Sequence, residues 1–495
     1  MLFAAIPASG DFTALRQPPQ NSGRETLHGV SGSPLRVLHF VPRVPWPLNT
    51  GAKLRNYHLA RQLARRTQIS LLAFSDQGLE TSHDSTQLSI SEQSKSMQNG
   101  AEREPVEPFL TCPERFYTRE TAVGRAQSYT PGKIVRGAVG RTPLPLLNYT
   151  TSAMKRALEQ ILSKDDFDVV QIESIHLLAY LPIIRAARSR PLVILDWHNI
   201  ESDLMHQYSG RAIGTLRRAY ARRTSRQLSR LERWAMNEFD AHLVVSDNDR
   251  AKLLDYARDA RIFVIENGVD TDYYSDQQID SAHATWLAQQ REVVTTSLDL
   301  RSESLTAGPT LRYRAVFVAS MDYHANLDAA VSFAREVWPG VYERRPDLVF
   351  TVVGREPAAE VRQLGMLPGV EVTGTVDDVR PYYREALAAI IPLRVGGGSR
   401  LKILEAMASG VPVISTTLGA EGLEVRDEKN ILVANTNQEL SDAIIALTDD
   451  PERRKKLSAG GRALVLARYD WSRLGEALLE TYQNLAATKL VPSTT

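Results

Sequence analysis

The chain of 495 residues has a single cysteine, Cys112, and a formal net charge of only +1 at pH 7. One cysteine excludes an internal disulfide and is typical of a reducing compartment. The near-zero charge gives no general attraction to nucleic acid, so no nucleic-acid partner is expected. No apolar run approaches the ~18 to 20 residues that span a bilayer, and the first residues lack the basic start of a secretory signal. A cytoplasmic location is therefore expected.

Familiar metal and phosphate motifs are also missing. No group of His, Cys and Asp has the spacing of a metal site, and we interpret Asp377-Asp378 as the start of a helix. The glycine-rich segment near residue 397 has neither the Gly-Lys-Ser/Thr of a P-loop nor a Gly-x-Gly-x-x-Gly fingerprint. No metal ion and no cofactor are expected.

The length predicts two domains rather than one core. Residues 1–33 are rich in Ser, Gly, Pro and Gln without periodicity, which predicts a disordered leader. Apolar runs such as Ile69–Phe74 and Leu192–Leu195 then alternate with helical patterns over 34–272, as in a parallel α/β sheet. A polar stretch at about 75–108 is interpreted as a surface insertion in this first domain.

A second α/β domain is predicted over 313–470, because strand and helix patterns start afresh there after a polar linker at 273–312. A final helix over 471–488 is expected to pack back toward the first domain. The predicted fold class is thus two Rossmann-like α/β domains that face a cleft. Ligands are expected at the carboxyl ends of the strands that face it.

The most informative segment runs from Pro392 to Gly410. Gly396, Gly397 and Gly398 follow a predicted strand, and Ser399 can cap the helix that comes next. A loop without Cβ atoms lets a ligand reach the free N–H groups at the helix start, where the helix dipole favours an anion such as phosphate.

Charged residues follow at once on this helix. Arg400 and Lys402 lie in its first turn, where cations oppose the helix dipole unless an anion is bound. Glu405 lies on the same face as Lys402 and can accept hydrogen bonds from sugar or ribose hydroxyls. An opposite, apolar stripe is expected to anchor the helix while these three side chains are displayed. The alternative is a plain strand–helix turn with a surface Lys–Glu pair of little energetic weight.

Together with other segments, this pattern resembles the family-four retaining glycosyltransferases, which have the glycosyltransferase-B fold. The resemblance extends from about Leu35 to Leu485, without the two polar stretches. The matching segments are 47–55, 196–199 (Asp-Trp-His-Asn), 267–270 (Asn-Gly-Val-Asp), 317–326, 372–376, 396–402 (Gly-Gly-Gly-Ser-Arg-Leu-Lys) and 404–408 (Leu-Glu-Ala-Met-Ala).

The resemblance implies a role for each matching residue. Glu405 resembles the second Glu of the family's paired-glutamate motif, which binds the nucleotide ribose, whereas Gly397 stands at the position of the first. The family's Arg and Lys in the loop after the first strand of the second domain are missing, so Arg400 and Lys402 are the candidates for that phosphate role. The backbone at Thr375 and Val376 resembles the segment that contacts the nucleobase. Metal independence and retention of anomeric configuration are implied as well.

Two further candidates lie in the first domain. Gly51 stands at the start of a predicted helix, so its N–H group can meet the donor phosphates; a plain turn is the alternative. His198 follows a predicted strand, and in the family a His at this position approaches the donor sugar. The alternative is a structural histidine, and Asp196 can orient it or cap a turn.

Residues 211–233 contain eight arginines and one acidic residue. As a helix with an apolar face of Leu216, Tyr220, Leu228 and Leu231, this segment can make a peripheral contact with an anionic membrane. A solvated arginine-rich face is the alternative.

The expected function is a retaining, metal-independent hexosyl- or related glycosyltransferase. It would move a sugar from a nucleotide-sugar donor to a saccharide or lipid-linked acceptor in the synthesis of cell-surface polysaccharide or glycan. Two alternatives stay open: a nucleotide-sugar epimerase or hydrolase of the same fold, and a non-catalytic partner in a polysaccharide assembly complex.

Overall fold

The computed structural model describes most of both predicted domains. The described residues are 34–75, 81–84, 112–125, 130–140, 142–211, 214–275, 313–321, 323–355, 357–395 and 400–490. The predicted leader 1–33, most of the predicted linker and the positions Gly396, Gly397, Gly398 and Ser399 lie outside them.

The chain divides into two compact units, which are described separately. The amino-terminal unit contains the described residues of 34–48, 52–266 and 474–490, and the carboxyl-terminal unit contains 49–51 and 267–473. The helix Trp471–Leu490 therefore contributes most of its length to the amino-terminal unit.

The amino-terminal unit is built on an eight-stranded sheet in the order β3-β4-β2-β1-β5-β6-β7-β8. Among the described strands of this sheet, only the β3–β4 pair is antiparallel, so the carboxyl ends of β4, β2, β1, β5 and β6 lie at one edge. The strands are β1 Arg36–Val41, β2 Gln68–Ser75, β3 Thr81–Asp84, β4 Arg119–Gly124, β5 Val169–Glu173, β6 Leu192–Trp197, β7 Ala241–Val244 and β8 Ile262–Val264.

Helices pack against this sheet, and strands such as β5 and β6 are buried along their whole length, as expected when both faces of a parallel sheet are covered. The side chain of Ser246 caps the helix Asp247–Leu254 by accepting from the N–H of Asp249. The helices are Gly51–Leu63, Pro131–Val139, Leu144–Tyr149, Ser152–Lys164, Leu181–Arg185, Glu201–Arg211, Thr215–Glu238 and Asp247–Leu254, with a 3-10 turn at Ile175–Tyr180.

The carboxyl-terminal unit contains a six-stranded, parallel sheet in the order β11-β10-β9-β12-β13-β14. Its strands are β9 Tyr313–Val318, β10 Leu348–Val353, β11 Val370–Gly374, β12 Ala386–Ile391, β13 Val413–Ser415 and β14 Leu432–Val433. Its helices are Thr271–Ser275, His324–Ser332, Trp338–Arg344, Ala359–Gln363, Arg380–Arg384, Leu401–Ala408, Asn437–Asp449 and Pro451–Leu464. Segments 333–337 and 465–469 are π-helical, and 364–366 is a 3-10 turn.

The two parallel α/β units confirm the predicted fold class, but several local predictions were wrong. Strand β4 was missed because its sequence, Arg-Glu-Thr-Ala-Val-Gly, alternates little and is half-buried at its start. A strand, β3, also lies within the stretch that was interpreted as an insertion. In the second unit, the helix that we expected to start at Asp377-Asp378 starts at Arg380 and ends at Arg384, because β12 begins at Ala386.

Within the described residues, no helix combines the length and the apolar composition that a membrane span requires.

Candidate functional site

The helix Leu401–Ala408, called the site helix below, follows β12 and so starts at the carboxyl edge of the sheet in the carboxyl-terminal unit. Arg400 takes its N-cap position, and its side chain makes no capping hydrogen bond. The predicted cap, Ser399, lies outside the described residues, so its capping hydrogen bond stays a prediction. The glycines at 396–398 lie outside them too, so their predicted contact with an anion stays a prediction.

The site helix is buried along its whole length. Arg400, Lys402 and Glu405 are 7%, 6% and 3% exposed. The prediction that these three side chains are displayed opposite an apolar stripe was wrong, because the helix is covered on its polar face as well as on its apolar one. Three ionisable groups are thus enclosed around the first two turns of one helix.

Lys402 has a neutral hydrogen-bond partner. Its Nζ donates to the Oδ1 of Asn326 at 2.8 Å and lies 5.6 Å from the centroid of the Phe317 ring. Burial and the nearby charge of Arg400 lower the pKa of Lys402 to about 7, against the opposing effect of Glu405. The ammonium group is therefore poorly compensated where it lies.

Glu405 faces two tyrosines. The hydroxyl of Tyr383 donates to its Oε2 at 3.5 Å, and Tyr274 also hydrogen-bonds with it. Burial raises the pKa of Glu405 to about 7, although Tyr274, Lys402 and Tyr383 each favour the ionised form. The carboxyl group thus ionises less readily at neutral pH than an exposed glutamate does.

Arg400 has a partner that solvent can reach. Its Nε donates to the backbone oxygen of Glu421 at 3.1 Å, and its Nη2 donates to the carboxylate of Glu421 at 3.1 Å. The side chain of Glu421 is 59% exposed, whereas that of Arg400 is almost covered. An incoming anion can therefore compete with Glu421 for the guanidinium group.

Thr375 and Val376 follow β11, and Gly374 at the end of that strand has φ +75, a value that favours glycine. The carboxyl end of β11 lies at the same edge of the sheet as that of β12. The two residues are therefore at the same edge as the start of the site helix, while their contact with a nucleobase stays a prediction.

The amino-terminal unit has its own cluster of polar groups at the carboxyl edge of its sheet. His198 follows β6, and its Nε2 lies 2.6 Å from Oε2 of Glu173, the last residue of β5. The other oxygen of Glu173 lies 3.0 Å from Nε2 of His39 and accepts from Gln171 at 2.5 Å. Burial alone would raise the pKa of Glu173, but the hydrogen bonds from His198 and His39 hold it well below its usual range.

Asp196 does not orient His198, so that part of the prediction was wrong. Arg55 donates to both carboxylate oxygens of Asp196, from Nε at 3.0 Å and from Nη2 at 3.1 Å. Both side chains are completely buried, and Arg55 also donates to the backbone oxygen of Ile265. Glu173 is the residue that holds His198.

Among the described residues, the ligand atoms of Glu173, Asp196 and His198 lie within 4.8 Å of one another. This proximity could accommodate a metal ion, but the chemistry of the cluster does not favour one. Asp196 is already neutralised by the guanidinium of Arg55, and a second cation beside it would be repelled. We interpret the cluster as an ion-pair network that fixes His198.

Sequence reasoning missed Glu173, Arg55 and His39, because they come from two strands and a helix that only the fold brings together. A signal was present. Each polar side chain interrupts an otherwise buried apolar strand or stands on a buried helix face, and buried charges are seldom found without a specific partner.

Gly51 is the first residue of the helix Gly51–Leu63, as predicted. Its contact with donor phosphates stays a prediction.

The arginine-rich segment 211–233 spans two helices, Glu201–Arg211 and Thr215–Glu238, with 212–213 outside the described residues. Leu228 is buried in the core, whereas Leu216 is 87% exposed and Tyr220 is 39% exposed. The prediction of a single apolar face was therefore wrong. The carboxyl-terminal half of the segment packs inward, and the amino-terminal half points to solvent.

Replacing Glu173 tests the network around His198. We expect Glu173→Gln to lower the free energy of unfolding by about 1 to 3 kcal/mol, because hydrogen bonds to an ionised group are lost. Since the pKa of Glu173 is depressed in the folded state, the difference from wild type should be full above about pH 5 and should shrink as the pH falls further. Urea unfolding at several pH values measures it.

The control is Glu159→Gln, an exposed carboxylate on the helix Ser152–Lys164 of the same unit. It should change stability by less than about 0.5 kcal/mol. Equal effects of the two substitutions, or a difference that does not depend on pH, would contradict the network.

Two family models match the chain. A model described as "Glycosyltransferase Family 4" matches residues 49–273, and one described as "Glycosyl transferases group 1" matches residues 312–450. The second range includes the site helix, and the first includes His198 and Glu173.

Relatives that are named as mannosyltransferases are similar to the chain over part of their length. A phosphatidyl-myo-inositol mannosyltransferase of Mycobacterium leprae is 30% identical over 166 residues, which are 32% of this chain and 44% of the relative. A GDP-mannose-dependent monoacylated alpha-(1-6)-phosphatidylinositol monomannoside mannosyltransferase of Corynebacterium glutamicum is 33% identical over 167 residues, 30% of this chain and 42% of the relative. The chain thus matches less than half the length of these relatives.

Solved structures share the fold over nearly the whole chain. Sucrose-phosphate synthase of Thermosynechococcus elongatus superposes with a TM-score of 0.61 at 16% identity, covering 92% of this chain and 100% of that one. HepE of Anabaena, solved in complex with UDP and glucose, gives 0.53 at 13% identity, with 91% and 100% covered. With the two family matches, these findings show that the chain belongs to the family-four glycosyltransferases of the glycosyltransferase-B fold.

Proposed function

We propose that this chain is a retaining, metal-independent glycosyltransferase that moves a hexosyl group from a nucleotide-sugar donor to a saccharide or lipid-linked acceptor in the synthesis of cell-surface polysaccharide or glycan. The observation that carries the proposal is the burial of Arg400, Lys402 and Glu405 around the start of the site helix.

The donor diphosphate supplies what this arrangement lacks. Two buried cations near a helix N-terminus repel each other and oppose the helix dipole. The diphosphate of the donor reverses both effects, since it meets Lys402, Arg400 and the free N–H groups of the helix together. The glycines Gly396, Gly397 and Gly398 and the residue Ser399 are proposed to bring further backbone N–H groups to it.

Glu405 and the loop after β11 are proposed to hold the nucleoside. The carboxyl group of Glu405 accepts hydrogen bonds from the ribose hydroxyls, in place of the weak ones from Tyr383 and Tyr274. The backbone of Thr375 and Val376 contacts the base. Gly51 is proposed to meet the donor phosphates with its N–H group.

The chemical step depends on the leaving diphosphate. Arg400 and Lys402 stabilise the negative charge that develops on it when the glycosidic bond breaks, as preorganised donors do for an oxyanion. His198, fixed by Glu173, contacts a hydroxyl of the donor sugar. The acceptor hydroxyl attacks from the same face as the departing diphosphate, whose oxygen takes the proton, and the anomeric configuration is thereby retained.

The acceptor is proposed to be presented at a membrane surface, as suggested by the phosphatidylinositol-linked substrates in the names of two relatives. The helix Thr215–Glu238 exposes Leu216 and Tyr220 beside a row of arginines, Arg217, Arg218, Arg222 and Arg223. Exposed apolar groups among basic ones favour peripheral contact with anionic lipid.

A transfer assay tests this function. The full chain is incubated with labelled GDP-mannose or UDP-glucose and with vesicles that contain phosphatidylinositol or a lipid extract. We expect labelled glycolipid with one donor, and loss of at least about tenfold in kcat/KM in Lys402→Met, because the leaving diphosphate loses a charged partner. Lys429→Met, which removes an exposed lysine of the same unit, should keep its activity.

The products separate the remaining alternatives. Free sugar without glycolipid would indicate a hydrolase, and an altered sugar nucleotide would indicate an epimerase. No turnover of any donor would indicate a non-catalytic partner in a polysaccharide assembly complex. Each of these three results would contradict the proposal.

Donor binding should take up protons. The pKa of Lys402 is about 7 in the free protein, and a bound diphosphate favours the charged ammonium, so that pKa rises on binding. Affinity for UDP or GDP should therefore fall as the pH rises from 7 to 9, by up to about tenfold per pH unit for one proton. Calorimetry in buffers of different ionisation enthalpy measures the uptake directly.

Two variants assign the proton in that experiment. Lys402→Met should abolish the uptake. Glu405→Gln should keep the uptake or increase it slightly, because the ribose hydroxyls favour the ionised carboxylate, whose pKa is also about 7 in the free protein, so that this group releases a proton on binding. A wild-type affinity that is constant from pH 7 to 9 would mean that the diphosphate does not approach Lys402.

Transfer should not need a divalent ion, because Arg400 and Lys402 already supply positive charge for the diphosphate. We expect the same rate after dialysis against EDTA, and no increase on addition of Mg²⁺ or Mn²⁺. A rate that disappears with EDTA and returns with either ion would reverse this part of the proposal and direct attention to Glu173 and its neighbours.

A further inference from the structure

Basic side chains follow several strands of the amino-terminal sheet at the same edge. Arg43 comes after β1, Arg125 directly after β4 and His176 shortly after β5. These strands belong to one parallel set, β4-β2-β1-β5, so their carboxyl ends lie side by side. In open parallel sheets this is the edge at which ligands bind.

Arg125 is held in place by aromatic rings. It is 3% exposed, and its Cζ lies 4.3 Å from the centroid of the Tyr149 ring and 5.9 Å from that of Phe74. The ring of Tyr149 in turn lies 5.3 Å from the ring of His176. A guanidinium that is fixed and removed from water interacts more strongly with an anion than one that moves in solvent.

His176 is surrounded by positive charge. Its Nδ1 lies 2.6 Å from the hydroxyl oxygen of Ser174. Burial and then the charges of His198, Arg125 and Arg43 lower the pKa of His176 to about 4. The imidazole is therefore neutral at physiological pH, and the positive charges near it come from the arginines.

We propose that this basic edge, formed by Arg43 and Arg125 beside the neutral His176, binds a phosphate group of the acceptor. Arg125 is the buried anchor, since its planar donors match the oxygens of a phosphate, and Arg43 is the exposed residue at the entrance. That the phosphate belongs to an acceptor rests on the proposed function, whereas the binding of a phosphate group does not.

The phosphate can belong to a soluble sugar or polyol phosphate or to the headgroup of a lipid, and the chemistry of recognition is the same. The experiment therefore has two arms on the full chain. One compares myo-inositol 1-phosphate with myo-inositol by calorimetry. The other compares vesicles of phosphatidylcholine with and without phosphatidylinositol by co-sedimentation.

Three variants test which residues bind the phosphate group. Arg43→Gln removes an exposed charge and should leave the fold intact, whereas Arg125→Lys keeps the charge of the anchor but loses its planar donors. Arg188→Gln is the matched control, because Arg188 precedes β6 at the opposite edge of the sheet and its side chain is 88% exposed. Thermal unfolding confirms that each variant is folded.

We expect binding in at least one arm, no binding of myo-inositol, and a loss of at least about tenfold in affinity in Arg43→Gln, as for one charged hydrogen bond. Arg188→Gln should bind as the wild type does. Absence of binding in both arms would overturn the inference. Equal losses of affinity in Arg43→Gln and Arg188→Gln would overturn it as well. The same is true if only the vesicles bind and Arg43→Gln binds them as tightly as the wild type does.

Failure of this inference and failure of the proposed function are distinguishable. Affinity for UDP or GDP should be unchanged in Arg43→Gln, because the donor is assigned to the other unit. A chain that binds inositol phosphate through Arg43 but forms no glycolipid would keep this inference and reject the glycosyltransferase. If the chain forms glycolipid but Arg43→Gln changes neither the acceptor KM nor phosphate binding, the glycosyltransferase is kept and this inference is rejected.

Discussion

The enclosure of Lys402 and Glu405 within one helical turn is the constraint on which the account of the carboxyl-terminal unit depends. Burial moves both pKa values toward neutrality, one downward and one upward, so the two charged forms are only marginally favoured at pH 7. Charged groups are seldom retained in such a place for stability, because removal from water usually costs more than the pair regains. We therefore propose that a ligand completes the charge balance at these two residues.

The surrounding fold has the features needed to maintain this arrangement. Parallel strands covered on both faces leave little water near the site helix, and the neighbouring partners are neutral: Asn326 for the lysine, Tyr274 and Tyr383 for the carboxyl group. Neutral partners hold the side chains in position without neutralising them. The charges thus stay available for the diphosphate that we propose as their partner.

In the amino-terminal unit, by contrast, buried charged groups are compensated by partners within the protein. Glu173 is buried as deeply as Glu405, yet it is surrounded by hydrogen-bond donors and its pKa is held low. The pair of Arg55 and Asp196 is likewise closed on itself. These groups are satisfied without a ligand, which suits a scaffold that fixes His198 rather than a site that receives charge.

The sequence predicted the parallel α/β class and the positions of strands such as β2 and β6 well, because buried strands of a parallel sheet are continuous apolar runs. It failed where neighbours from distant segments decide the outcome. A helical wheel places Lys402 on an outer face, but the helix Thr271–Ser275 and the first turn of the helix His324–Ser332, which contains Asn326, cover that face. Neither is visible in the local pattern. The choice of Glu173 over Asp196 as the partner of His198 depends on Arg55, which lies 141 residues from Asp196 along the chain.

The most direct test of the central claim is a crystal structure of the full chain with UDP or GDP bound. The account predicts that the diphosphate lies at the start of the site helix, within hydrogen-bond distance of Nζ of Lys402 and of the Arg400 guanidinium, with the ribose at Glu405. A nucleotide bound elsewhere, with Lys402 still donating to Asn326 and Glu405 still facing only its two tyrosines, would contradict it.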